Sequence, residues 1–158
     1  MKKVKITQPH HEAWQYISGK NEWSVKYEIV CSIGDPKIIW LAGPFKGSAA
    51  DSTISEFSHV KHQLLPNESL LADQGYRGDL VSFLVPLPGH RNTLDADQKA
   101  QNYLIYSARV AIERVIQRIS TFYVFSGVWR ASFTLHKKCA KVVCKLLNLF
   151  FEFEPLDK

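Results

Sequence analysis

Two carboxylates stand in settings where carboxylates do chemistry. Asp73 lies in Leu70-Leu71-Ala72-Asp73-Gln74-Gly75-Tyr76-Arg77-Gly78, directly after a short apolar run, and Glu113 lies in Arg109-Val110-Ala111-Ile112-Glu113-Arg114-Val115. An Asp at the end of a buried strand projects from the edge of a sheet, where clefts open, and a glycine soon after it lets a backbone approach closely. A Glu bordering the apolar face of a helix can be aimed into a cleft between helix and sheet. Hard divalent cations take oxygen ligands, and two of them about 3.5 to 4 Å apart need several carboxylates to offset their mutual repulsion. Such a cluster hydrolyses phosphodiesters. Each residue also has a plain structural reading: Asp73 opens a surface turn, Glu113 pairs with Arg109 one helical turn away for a few tenths of a kcal/mol, and Asp51 caps a helix for about 1 kcal/mol. Residue type and spacing leave both readings open.

The elements that must position these residues follow from periodicity and punctuation. Glu22 to Cys31 and Lys37 to Ala42 are rich in β-branched and aromatic residues, and Gly34-Asp35-Pro36 between them predicts a turn, hence an antiparallel hairpin. Val4 to Thr7 supplies a third strand. Gly43-Pro44-Phe45-Lys46-Gly47 is expected to break the second hairpin strand, followed by a helix over Ser52 to Leu65 that Pro66 ends. Ser69 to Ala72 and Ser82 to Leu87 read as strands, the latter closed by Pro86 and Pro88, with a loop over Gly89 to Asp95. From Asp97 to about Phe125 the residues Leu104, Ala108, Ala111, Val115, Ile119 and Phe122 recur at helical steps. Ser126-Gly127 ends that helix, and another runs from about Phe133 to Phe150 with Leu135, Cys139, Val142, Val143, Leu146 and Leu149 on one side. Strand, strand, helix, strand, strand, long helix, helix is the order of an α/β or α+β layer structure.

With 158 residues, one domain is expected. No run reaches the roughly 18 to 20 apolar residues of a membrane span, and the basic start Met1-Lys2-Lys3-Val4-Lys5 leads into an alternating segment instead of a secretion signal. Three cysteines at unrelated spacings fit a reducing compartment. Cys139 and Cys144 have no ligand partners at zinc-finger spacing and read as buried thiols; His10, His11 and His59 likewise show no ligand spacing. A net charge of +5 leans toward a polyanionic partner. Arg77, Arg91, Arg114, Arg118 and Arg130 flank the elements carrying the carboxylates and are the expected contacts of such a partner. Lys137, Lys141 and Lys145, with Lys138 adjacent, form a stripe that suits either phosphates or plain solvation.

Read in order, several segments resemble the DDE-type endonuclease domain of Harbinger and IS5-like DNA transposases. Tyr16-Ile17-Ser18-Gly19-Lys20 followed by Lys26-Tyr27 is similar to the family's Tyr-Ser-Gly-Lys and Lys-Tyr elements. Gly43-Pro44-Phe45-Lys46-Gly47-Ser48 with Asp51-Ser52 is similar to its Gly-Pro-aromatic-x-Gly-Ser loop and the Asp-Ser after it. Ala72 to Gly78, Arg109 to Glu113, Trp129-Arg130 and Asn148 complete a match that extends over nearly the whole chain. The resemblance implies an RNase H-like α/β fold, a mixed sheet flanked by helices, here truncated at its N-terminus. It implies cleavage and joining of DNA ends by three carboxylates and two magnesium or manganese ions. Asp73 would be the second metal-binding carboxylate and Glu113 the third, with Asp51 and Arg109 as supporting residues.

The departures bear on activity. The family's first carboxylate sits in an Asp-Gly-Thr strand just ahead of the segment that Val4-Lys5-Ile6 resembles, and this chain has Met1-Lys2-Lys3 there. Trp23-Ser24 stands where the family has His followed by Ser or Thr, Ser120-Thr121 where a lysine is common, and the family's leading helix-turn-helix region is not included. The expectation is a transposon-derived endonuclease domain that does not cleave DNA as this chain alone. The rival readings are a domesticated, non-catalytic DNA- or protein-binding module and an unstable relic. Expected partners are DNA, with a separate DNA-binding protein or a second copy in a homodimer, and no membrane; the expected compartment is the nucleus in a eukaryote and otherwise the cytoplasm.

Overall fold

The computed structural model describes residues 1–7, 13–19, 21–35, 37–89 and 93–153, the last without its side chain. They form two compact units, Met1–Ala49 with Ile112–Lys158, and Ala50–Ala111. The described elements are β1 (Lys2–Lys5), β2 (Ser24–Cys31), β3 (Ile38–Lys46), α1 (Asp51–Ser58), β4 (Leu70–Leu71), β5 (Phe83–Leu84), α2 (Ala96–Ile119), α3 (Tyr123–Ser126) and α4 (Phe133–Phe153). This is the mixed α/β composition expected of an RNase H-like domain.

In the first unit β2 lies between β1 and β3, both antiparallel to it, with Val4 opposite Val25 and Ile29 opposite Leu41. Trp129 pairs in parallel beyond β1 at Ile6, its amide donating to the Lys5 carbonyl at 2.9 Å. Val4, Val25, Tyr27, Val115, Ile119, Phe125, Ala140 and Leu147 make the core, to which α3 and α4 contribute with the sheet. Each large apolar side chain buried there is worth about 1.5 to 3 kcal/mol relative to exposure. Asn148 ties α4 to β3: its side chain accepts from the Ile38 amide at 2.8 Å and donates to the Ile38 carbonyl at 2.9 Å.

The second unit holds α1, the parallel pair β4 and β5, and residues 96–111 of α2, with Ile54, Val60, Tyr76, Phe83, Val85 and Ile105 buried. Asp79 organises the turn into β5. Its carboxylate accepts from the Val81 and Ser82 amides at 3.2 and 3.1 Å and pairs with Lys61 at 2.8 Å. The Lys61 hydrogen bond and then the Ser82 amide hold its pKa down to about 2. Asn102 accepts from the Leu87 amide at 2.8 Å and so fixes the exit of β5 to α2.

Several boundaries differ from those the sequence predicts. β3 does not end before Gly43-Pro44 but continues to Lys46, because the register shift between Lys26 and Glu28 absorbs the proline that cannot donate to the ladder. Gly43 has φ +133, and a Cβ there would lie 2.8 Å from the Lys26 carbonyl oxygen and from the Tyr27 ring. The helix expected over Ser52 to Leu65 stops at Ser58, where His59 turns left-handed at φ 60 and a 3-10 turn Val60–Gln63 follows. α2 starts at Ala96, capped by Asp95, and ends at Ile119 instead of continuing to Phe125. The Ser120 and Thr121 hydroxyls bond back to the Ile116 and Arg118 carbonyls at 2.6 and 2.8 Å, and Phe122 turns extended. On α2 Ile105 is buried, whereas Leu104, which follows the helical apolar period, is exposed. On α4 the buried face is His136, Ala140, Val143, Cys144, Leu147 and Phe151, whereas Leu135, Val142, Leu146 and Leu149 face solvent. The expected face is therefore rotated, Val143 alone being shared between the two sets.

Candidate metal and nucleic-acid site

Asp73 follows β4 directly. β4 is held to the β5 segment by Leu70 N–H to the Ser82 carbonyl at 2.8 Å and Ala72 N–H to the Leu84 carbonyl at 3.1 Å, which brings the exposed Asp73 to the strand's carboxyl end. Its Oδ1 accepts the Gly75 amide at 3.0 Å, opening a 3-10 turn over Gln74–Tyr76. Tyr76 anchors that turn in the core against Phe83, with ring centroids 4.7 Å apart. The turn-opening role read from sequence is thus present, and it fixes the direction of the carboxylate.

Gly75 brings a second carboxylate to the first. A Cβ built on it would stand 3.1 Å from Asp73 Oδ1 and 3.6 Å from Asp51 Oδ2, so both carboxylates reach within 4 Å of one point. Asp51 is half-buried in the first turn of α1, but it is not the cap: the N-cap is Ala50, whose side chain makes no capping bond. A carboxylate in the first turn is favoured by the helix dipole.

Glu113 lies on α2 in the other compact unit, exposed, between half-buried Ile112 and Arg114 and two residues before fully buried Val115. Arg109, one turn before it, is half-buried and belongs to the unit of Asp51 and Asp73. Among the described residues no three His, Cys, Asp or Glu side chains gather as a metal cage. Asp51 and Asp73 offer oxygens of the kind magnesium and manganese prefer, but two carboxylates are too few to hold two such ions. At the start of β1, where the resemblance places the first carboxylate, Lys2 Nζ donates to Ser120 Oγ at 2.6 Å, and burial lowers its pKa. That ammonium meets the helix at the position where lysine is common in the family.

Arg77, Arg118 and Arg130 are exposed and Arg114 is half-buried, while Arg91 lies outside the described residues, as do Lys20, His10 and His11. Lys137, Lys138, Lys141 and Lys145 are all exposed on α4. Cys144 is buried and Cys139 partly so; burial pushes the Cys144 thiol up to about 11, so it is not a reactive thiolate.

Sequence reading missed His136. It is fully buried, its Nδ1 lies 2.6 Å from the Tyr27 hydroxyl and its Nε2 2.9 Å from the Val124 carbonyl. A carbonyl only accepts, so Nε2 carries the proton and Nδ1 accepts from Tyr27. The His136 and Trp129 rings meet edge to face at 4.6 Å between centroids. Tyr27, Trp129 and His136 thus meet in the first unit, and Tyr27 and His136 are too far apart in sequence for any spacing rule to link them.

Neither curated proteins nor solved structures returned a match to this chain. The family model described as DDE superfamily endonuclease matches residues 2–148. That span includes Asp51, Asp73, Glu113 and every motif discussed above, and its members are divalent-metal-dependent enzymes that act on DNA. Covering most of the chain, the match establishes that it belongs to the DDE superfamily endonucleases.

Proposed function

We propose that residues 1–158 are one transposase-type endonuclease domain in which Asp73 and Glu113 are the second and third metal-binding carboxylates. Asp51 supports Asp73 from the first turn of α1, and Arg109 supports Glu113. The observation that carries this reading is the meeting of Asp51 and Asp73 at Gly75, at the carboxyl end of a strand. In the complete site two magnesium or manganese ions would supply Lewis acidity and a metal-bound nucleophile. The role of this chain's residues is to offer carboxylate oxygens at a fixed direction, Asp73 through its bond to the Gly75 amide. Arg77, Arg114, Arg118 and Arg130 contact phosphates, and a DNA substrate fits work in the nucleus in a eukaryote and otherwise in the cytoplasm.

With Lys2 where the first carboxylate belongs, the chain alone does not cleave DNA. Purified residues 1–158 are expected to leave supercoiled plasmid intact in magnesium or manganese, and a form with Asp-Gly-Thr placed ahead of Val4 to nick it. Metal-dependent nicking by the unaltered chain, abolished by Asp73→Ala, contradicts this. The second reading, a module that keeps the fold and binds DNA or protein without catalysis, is supported by the same ammonium at Ser120. It predicts that the restored form binds no additional metal.

A further inference from the structure

The solvent face of α4 carries a regular apolar seam. Leu135, Cys139, Val142, Leu146 and Leu149 follow one another at alternating steps of four and three residues, the spacing of positions a and d in a coiled coil. The four aliphatic members are between 41 % and 55 % exposed, although the opposite face of the same helix is packed into the core. A helix of a monomer keeps one apolar stripe, and α4 has two.

In this register the positions flanking the seam on one side are Lys138, Lys145 and Glu152. Two copies of α4 running antiparallel about residue 144 would set Cys139 across from Leu149 and Val142 across from Leu146. The same alignment puts Lys138 opposite Glu152 at both ends, with Lys145 meeting its own copy at the centre. A parallel pair gains no such charge matching, because the other flank is occupied by His136, Val143 and Phe150. Glu152 is 52 % exposed and 3.3 Å from Lys37, a surface contact that leaves its carboxylate accessible. We propose that this face binds a second copy of the chain, the two α4 helices packing antiparallel around a two-fold axis with Lys138–Glu152 pairs across it. The contact is isologous, so it closes at a dimer. A single helix seam is small beside the roughly 1,600 Å² of a standard stable interface, so a concentration-dependent equilibrium is expected. The proposal is independent of the metal chemistry.

Sedimentation velocity of residues 1–158 over a concentration series tests it. The expected result is a monomer–dimer equilibrium. Val142→Glu and Leu146→Glu should weaken it at least tenfold with an unchanged circular dichroism spectrum, since both side chains face solvent in the monomer. Lys138→Glu should weaken it severalfold, and Lys138→Glu combined with Glu152→Lys should recover most of that loss. A monomer at every concentration, a dimer indifferent to Val142→Glu, or a charge exchange without recovery would overturn the proposal.

Discussion

The buried pair Tyr27 and His136 shows how one polar contact sets a pH dependence. Burial lowers the His136 pKa, because charging the ring would cost its solvation and give Nδ1 a proton facing a hydroxyl that already donates to it. A histidine with a folded pKa below its unfolded value of about 6.5 contributes stability that is fully present above that pH. The contribution is lost as pH falls below it, because the unfolded chain binds the proton more readily. Unfolding midpoints in urea should therefore decrease between pH 7 and pH 5. The decrease should be smaller in His136→Gln, while a wild-type midpoint flat across that interval would contradict the assignment. Tyr27→Phe leaves Nδ1 without its donor and is expected to cost about 1 to 3 kcal/mol. None of this was legible in the sequence, where the two residues belong to unrelated patterns.

At the scale of elements, local signals were read well where a local bond enforces them and poorly where packing decides. The hairpin around Gly34 and Asp35 formed as its turn residues require, and Asp73 opened its turn. The spacing of Asp95 and Gln98 also carries a start signal that the apolar period does not show: Asp95 Oδ1 accepts the Gln98 amide at 2.8 Å while Gln98 Oε1 accepts the Asp95 amide at 3.1 Å. This reciprocal capping box starts α2 at Ala96. Asp95→Ala should cost about 1 kcal/mol in urea unfolding, whereas Asp97→Ala should cost a fraction of that; equal effects would contradict the cap. The face of α4 was misread for a different reason. Its apolar residues cover two stripes, and periodicity cannot say which one the sheet selects. The buried stripe also opens on His136, a residue that an apolar period does not count.

At the scale of the molecule, the family could be recognised because motif order survives where single motifs are weak. The strand–helix composition followed from the same order. The meeting of Asp51 and Asp73 did not, because it depends on how closely the turn at Gly75 approaches the start of α1. Nucleic-acid affinity belongs to this scale too. If Arg114 and Arg118 contact phosphates, replacing both with Ala should reduce DNA affinity and flatten the slope of log K against log salt by about 0.9 per lost contact. Unchanged affinity and slope in a fluorescence anisotropy titration would remove them from the interface.

The central claim is that Asp73 and Glu113 are two of three carboxylates in a two-metal site. The most direct test is manganese stoichiometry, by isothermal titration calorimetry, of the form carrying Asp-Gly-Thr ahead of Val4. We predict two ions per chain, falling to one or none in Asp73→Ala and in Glu113→Gln. Two ions retained in both variants, or no binding by the restored form itself, would contradict the account.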